Sequence, residues 1–193
     1  MSISINHKIL IVMQVAKISI PKPYPSICAL TFGTDSVETT NKINWWQIGD
    51  NYKWHIEEKI DGSQLSFFVD TENNIHFYNK ASYIKHDTNN AVFEKAITML
   101  CQSKIINLIN KNYVYAGESV CKLKHNVIVY ERTPKYYFIV YDIYDFVENK
   151  WLSLQEKLNE CSRIGLEHVV KKYAHTFSGM LEKVNYVNFF STC

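Results

Sequence analysis

The sequence predicts an α+β fold, and three observations predict it. Short strand-like runs separated by turn signals lie between Lys53 and Asn79. Apolar residues recur at helical spacing from Asn90 to about Ile109, and strand pattern returns from Tyr113 to Tyr144. Strands after a helix after strands favour α+β. The 193 residues are 47% hydrophobic and 14% aromatic, ample material for one sizeable core, which excludes a disordered tail.

Taken in order, residues 1–20 read as an N-terminal extension or edge strand. The apolar run near Ile9 to Ile20 is broken by Gln14 and Lys17. It falls short of the ~20 residues of a membrane span and lacks a small-residue cleavage site, so a soluble, intracellular protein (cytoplasm or viral factory) is expected. Pro21, Pro23 and Pro25 mark an extended segment rather than a boundary, which makes 21–193 one domain. Lys53 to Ile60, Gln64 to Asp70 and Ile75 to Asn79 read as an antiparallel meander with turns at Asp61-Gly62 and Glu72-Asn73-Asn74. One long helix follows, with Val92, Phe93, Ala96, Ile97 and Leu100 on its apolar face and Thr88 or Asn89 as N-cap.

Tyr113 to Gly117 and Lys135 to Tyr144 are rich in Tyr, Val, Ile and Phe and bounded by Asn112, Pro134 and Asp145, as strands are. Ser153 and Glu156 then form a capping box for a helix over Leu154 to Ile164, with Gly165 as its C-cap.

The net charge of +2 excludes a protein that holds nucleic acid by bulk charge, so any such contact is local. Only Arg132 and Arg163 among the 21 basic residues are arginines, and phosphate contacts would therefore be made by lysines. Cys28, Cys101, Cys121, Cys161 and Cys193 are odd in number and form no CxxC pair. They read as reduced thiols, with neither a disulfide framework nor a zinc site.

The most informative segment is EEKIDGSQLSFFVD, Glu57 to Asp70, where a strand ending in Lys59 meets the Asp61-Gly62 turn. A lone KxDG string is most simply a hairpin with an exposed lysine. A lysine amine can also attack the α-phosphorus of a nucleotide when desolvation or a neighbouring cation favours its neutral form. Gly62 would let the backbone pass close to the ligand, and Ser63 and Gln64 would add polar groups beyond the turn.

The chain resembles the covalent nucleotidyltransferases, and among them the ATP-dependent RNA ligases of the double-strand-break-sealing phage and viral type. KPYPSICALTF (Lys22 to Phe32) looks like the family's YPxI segment, and FYNKASYI (Phe77 to Ile84) sits where its next basic motif falls. YVYAGESV (Tyr113 to Val120) is similar to the motif whose glutamate holds the ribose. YYFIVYDIYD (Tyr136 to Asp145) resembles the strand that stacks adenine. The resemblance implies a nucleotidyltransferase (adenylation domain) fold of antiparallel sheets with flanking helices.

It also implies roles. Lys59 would become lysyl-AMP, with Asp61 and Gly62 shaping the turn around it and Glu58 and Ile60 among the cofactor-binding residues. Gln64 would serve the phosphate or nucleic-acid end, and Lys80 would stand where the family usually has arginine. Glu118 would accept a ribose hydroxyl, Tyr141 would stack on adenine, and Asp142 would be its acidic neighbour. ATP with Mg2+ or Mn2+ would be the cofactors, and RNA ends or a nicked duplex the partners.

Beside these stand plainer readings: Glu118 as a strand-end carboxylate, Tyr141 and Phe138 as core aromatics. Lys122, Lys124, His125, Arg132 and Lys135, interleaved with Tyr130, Tyr136 and Tyr137, read either as a nucleic-acid track or as a solvated loop. His125 reads as a loop residue, since no second ligand follows at metal-binding spacing.

The family's EGxVxK and KxK strands are not plainly present. EHVVKK (Glu167 to Lys172) imitates the first, but His168 replaces the glycine and Glu167 follows Asp142 too closely, so it reads as a decoy. Gly165 to Val184 looks like the segment preceding the true motif, implying a fold incomplete at its C-terminus and a second polypeptide as a candidate source of the missing strands. Loss of those lysines would remove stabilisation worth ~10²- to 10³-fold in rate per donor. An ATP-dependent DNA ligase, an mRNA capping guanylyltransferase and a catalytically silent nucleotide- or RNA-binding fragment remain alternatives.

Overall fold

The computed structural model describes residues 54–80, 82–85, 90–169 and 171–174, with the backbone alone for 54–56 and 171–174. The 1–20 extension, the KPYPSICALTF segment, Thr88, Asn89, Cys28 and Cys193 lie outside the described residues.

The strands are β1 (Trp54–Glu57), β2 (Ser63–Val69), β3 (Ile75–Tyr78), β4 (Tyr83–Ile84), β5 (Tyr113–Ser119), β6 (Phe138–Asp145), β7 (Lys150–Trp151), β8 (Glu167–His168) and β9 (Lys171–Ala174). Among the described residues two α-helices accompany them, α1 (Glu94–Gln102) and α2 (Leu154–Ile164). Strands β4-β3-β2-β5-β6-β7 form one antiparallel path, and β8 adds to β6 in parallel. A separate two-stranded sheet pairs β1 with β9.

This last pairing corrects the expected meander, because β1 does not form a hairpin with β2. The Asp61-Gly62 segment makes its bonds elsewhere. The Asp61 N–H donates to the Tyr130 hydroxyl at 2.6 Å, and Ile60 is buried among Val120, Tyr130, Ile139 and Val169. A Cβ on Gly62 would lie 2.7 Å from the Ser119 carbonyl oxygen, so only glycine lets the chain press against the end of β5. Residues 58–62 are thus a crossover between sheets. The second turn forms as expected, with Asn73 in the left-handed region (φ 68°) and the Asp70 carboxylate accepting from the Glu72 and Asn74 N–H groups.

Alternation along the strands divides the large sheet into two faces. Leu65, Phe67, Val69, Tyr115, Phe138, Val140 and Ile143 turn to the side that packs against Ala96, Ile97 and Leu100 of α1 and Cys161 and Ile164 of α2. Phe67 sits in the middle, stacked on Tyr115 at 5.2 Å and edge-on to Phe138 at 5.3 Å.

Helix α1 is shorter than the periodicity suggests. It ends at Gln102, Ser103 turns extended (ψ 152°), and a 3-10 turn over Lys104–Asn107 follows. Continued as α-helix, the buried stripe of Ile97 and Leu100 would next place Lys104 in the core. The break instead buries Ile105 and Ile109, and the Ser103 hydroxyl donates to the Leu100 carbonyl at 2.9 Å. At the other end the N-cap is Phe93, with no side-chain cap bond; in the turn over 91–93 that precedes the helix, the Asn90 carbonyl accepts from the Phe93 and Glu94 N–H groups and the Asn90 side chain from the Val92 N–H.

Helix α2 forms as its sequence dictates. Ser153 and Glu156 complete a capping box and Gly165 takes the left-handed C-cap at φ 73°. Strand β6 begins at Phe138 rather than Lys135, because Tyr136 and Tyr137 adopt positive φ values of 60° and 54° in a 3-10 turn. The register between β5 and β6 shifts at Ala116/Gly117, where Asp142 faces Ala116 and Val140 faces Gly117. Tyr141 is the extra residue of this bulge.

Candidate active site

The crossover delivers the sequence-predicted residues in two groups. The first surrounds Lys59, which is exposed. Gly62 lies against Glu118, whose Cβ would be 3.0 Å from a Cβ at position 62, and Gln64 is the register partner of Glu118. Burial pushes the Glu118 carboxyl up to about 7; Lys59 opposes the rise and Asp61 adds to it. These two opposing influences put Lys59 and Asp61 within electrostatic reach of the same carboxyl.

Asp61 behaves in the opposite way. Burial works to raise it, but it is outweighed by donors, which hold the carboxyl at about 2. The Ile128 and Val127 N–H groups donate at 2.8 and 2.6 Å, the Asn126 N–H at 3.3 Å, and the Asn126 amide to the second oxygen at 2.8 Å. Asp61 therefore does more than shape its own turn, since it fastens the 126–128 loop beside Lys59. Ser63 adds a second fastening, its hydroxyl 2.8 Å from His125 Nε2. His125 is thus a loop residue.

The second group lies on β6. Tyr141 packs beside the cluster that holds Ile60, so the residue next to Lys59 and the expected adenine-stacking ring share one apolar patch. Asp142 points to a cavity of about 260 Å³ lined also by Glu57, Leu152, Leu154 and Lys157. Lys157 donates to Glu57 Oε1 at 2.7 Å and to the Tyr141 carbonyl at 2.5 Å, and lies 3.8 Å from Asp142 Oδ1.

The other two predicted residues are Glu58, in the crossover beside Lys59, and Lys80. Glu58 is 7% exposed, burial raises its carboxyl, and its Oε1 has no hydrogen-bond partner. Lys80 is exposed, two residues past the Ser66–Tyr78 pair, at the end of the sheet where Gln64 meets Glu118.

The basic stretch does not make a continuous track. Arg132 forks onto Glu167 at 3.0 and 2.8 Å. Lys135 donates to the Gly165 carbonyl and lies over the Tyr136 ring at 4.8 Å. Tyr130 is buried. The Glu167 carboxylate of the EHVVKK segment also accepts the Lys135 N–H at 2.7 Å, so it is committed to holding this loop.

Sequence reasoning missed Lys157 and the 126–128 loop, and placed Tyr130 on a nucleic-acid track or solvated loop, whereas it is buried and accepts the Asp61 N–H. A signal existed for the first: Lys157 falls on the Leu154, Cys161, Ile164 stripe of α2, where a lysine must find partners inside. Nothing local announced that Asp61 would bind a loop so far along the chain.

The class this fold and site define is an α+β domain of antiparallel sheet and flanking helices with a lysine on a crossover between sheets. A model of the RNA ligase family matches residues 52–186, and the chain belongs to the RNA ligase family. No curated protein matches it. Among solved structures, a lysine-to-alanine mutant of Naegleria gruberi RNA ligase with ATP and Mn aligns with TM-score 0.58 and 16% identity, over 79% of this chain and 46% of that one. A glutamate-to-alanine mutant of the same ligase with AMP and Mn aligns with the same TM-score and identity, over 83% and 48%. The fold is therefore that of an RNA ligase nucleotidyltransferase, and the chain spans about half the length of these structures.

Proposed function

We propose that residues 21–193 are an adenylyltransferase domain of an ATP-dependent RNA ligase, working through a lysyl-AMP intermediate on Lys59. The observation that carries the reading is the crossover itself: it brings Lys59 beside Glu118 while Ile60 packs with Tyr141. On this reading the adenine stacks on Tyr141, and Glu118, ionised, accepts a ribose hydroxyl. Lys59 Nζ attacks the α-phosphorus; the N–P bond forms as the bond to pyrophosphate breaks, and the lysine proton leaves to solvent. AMP then passes to a 5′-phosphate end, and a 3′-hydroxyl displaces it to join the strands. Asp61 and Gly62 hold the lysine's turn, and Gln64 and Lys80 serve the phosphate and nucleic-acid side.

Among the described residues no group of three or more His, Cys, Asp or Glu could hold a metal ion. A Mg2+ or Mn2+ ion accompanying ATP would supply charge neutralisation at the triphosphate. RNA ends or a nicked duplex are the proposed partners, with a second polypeptide bearing EGxVxK and KxK strands as a further candidate. Among the described residues no helix is long and apolar enough to cross a membrane.

Incubation with radiolabelled ATP and magnesium is expected to give an acid-stable labelled band that Lys59→Ala abolishes. Absence of label from the wild type would overturn the catalytic reading, and ATP binding without label would mark a silent nucleotide-binding domain. Comparing RNA-containing with all-DNA nicks separates RNA from DNA ligation, and labelled GTP reveals a guanylyltransferase.

A further inference from the structure

We infer that Lys157 is a positioning residue for adenylylation, tying the strand that leads to Lys59 to the strand that carries Tyr141. Its side chain is almost wholly buried, with the residue 3% exposed. The ammonium makes two short hydrogen bonds, to Glu57 Oε1 at 2.7 Å and to the Tyr141 carbonyl at 2.5 Å, with Asp142 Oδ1 at 3.8 Å. Glu57 ends β1, in the two-stranded sheet, and stands two residues before Lys59. Tyr141 and Asp142 belong to β6, in the large sheet. One cation on α2 therefore spans both sheets behind the proposed reaction centre.

Stability alone does not account for a lysine here. Its neighbours on the α2 stripe, Leu154, Cys161 and Ile164, are apolar or nearly so. An apolar side chain of similar size in place of a buried ion pair is often neutral or stabilising. What an apolar residue would lose is direction. The Tyr141 carbonyl belongs to the residue at which the β5–β6 register shifts. Lys157 bonds that carbonyl and so fixes the attitude of the ring beside Ile60. The cavity of about 260 Å³ between Glu57, Asp142, Leu152, Leu154 and Lys157 means that a shortened side chain leaves room for both strands to drift. Misplacement of reacting groups by about 1 Å is enough to cost ~10²-fold in rate.

The inference rests on the adenylyltransferase reading, and its test is separable from that of the reading. Single-turnover labelling by ATP is measured against ATP concentration for the full chain and for Lys157→Met, Lys157→Arg and Glu57→Gln, with thermal melting of each. Lys157→Met is expected to slow labelling at saturating ATP by about tenfold to a hundredfold and to weaken ATP binding, beyond anything the fall in melting temperature from leaving Glu57 and the Tyr141 carbonyl without their shared donor accounts for. Lys157→Arg recovers part of the rate. Glu57→Gln loses several-fold, and the double variant Glu57→Gln/Lys157→Met is no slower than Lys157→Met alone, as expected for two ends of one contact. Wild-type rates in Lys157→Met, a loss that merely tracks the folded fraction, or independent multiplication of the two effects would each overturn it. Should Lys157→Met fail to fold, Glu57→Gln and Glu57→Ala decide, since Glu57 is partly exposed; wild-type kinetics in both refute the tie. A wild type that neither takes label nor binds ATP removes the underlying reading, and the inference with it.

Discussion

The two faces of the large sheet are made by the same strands, yet they treat polar atoms differently. On the helix-covered face every buried polar group described has a partner. The Ser119 hydroxyl donates to the Val92 carbonyl at 2.8 Å, and Glu160 accepts from the Tyr115 hydroxyl at 2.6 Å and from Arg163. On the side of the Lys59 crossover, Glu58 Oε1 and His125 Nδ1 are buried without partners, and Glu118 holds its proton up to about 7. Buried polar atoms left unsatisfied cost stability, and among the described residues both such atoms lie on the side of the proposed site.

The comparison is broken most forcefully from the dry face. Phe67→Ala removes the ring between Tyr115, Phe77 and Phe138 and is expected to cost about 3–5 kcal/mol, measured by urea unfolding. Any ATP labelling should fall only with the folded fraction. Asp61→Asn should act more locally. It turns one acceptor oxygen into an amine facing the N–H groups of 126–128, a loss of about 1–3 kcal/mol. Hydrogen exchange should quicken at Val127 and Ile128 while α1 and α2 keep their protection. Since the Asp61 carboxyl is lowered to about 2, its contribution is complete above the ordinary aspartate range and is lost as pH falls through about 2. Acid unfolding of the variant should accordingly be shallower in that window.

Glu118→Gln gives the smallest effect on stability, and of opposite sign. The folded carboxyl is raised to about 7, so its protonated form favours the fold, and that contribution fades as pH rises from the ordinary glutamate range through about 7. The glutamine variant escapes this loss. It should be more stable than the wild type at pH 8 by on the order of 1 kcal/mol, with the gap closing below pH 5, as melting at the two pH values would show. Its labelling by ATP should drop sharply at both, and the wild-type rate should climb with pH through about 7 while Glu118 ionises.

Legibility from sequence follows how local the cause is. The α2 caps at Ser153, Glu156 and Gly165, the turn at Asn73 and the alternation of β2 depend on neighbours within a few residues, and each forms where the pattern places it. Helix α1 ends before its apolar pattern does, because Ile105 and Ile109 continue an apolar run whose phase no longer suits a single helix once Lys104 intervenes. The pairing of β1 has no local signal, because its partner, Lys171–Ala174, lies over a hundred residues away. For the site, motif order pointed to Lys59, Gly62, Gln64 and Glu118, which do gather. The groups that anchor them, Lys157 and the 126–128 loop, act across sequence distance and carry no motif.

That same β1–β9 pairing bears on how the molecule assembles. Closing so long a loop carries a large entropic penalty that local contacts cannot offset in advance, so the large sheet and its helices can condense first while Trp54–Glu57 waits. On a ribosome the wait lasts until residues 171–174 have emerged, which makes the strand leading to Lys59 among the last pieces to lock. A chain interrupted during synthesis would then hold a finished scaffold and an unset lysine.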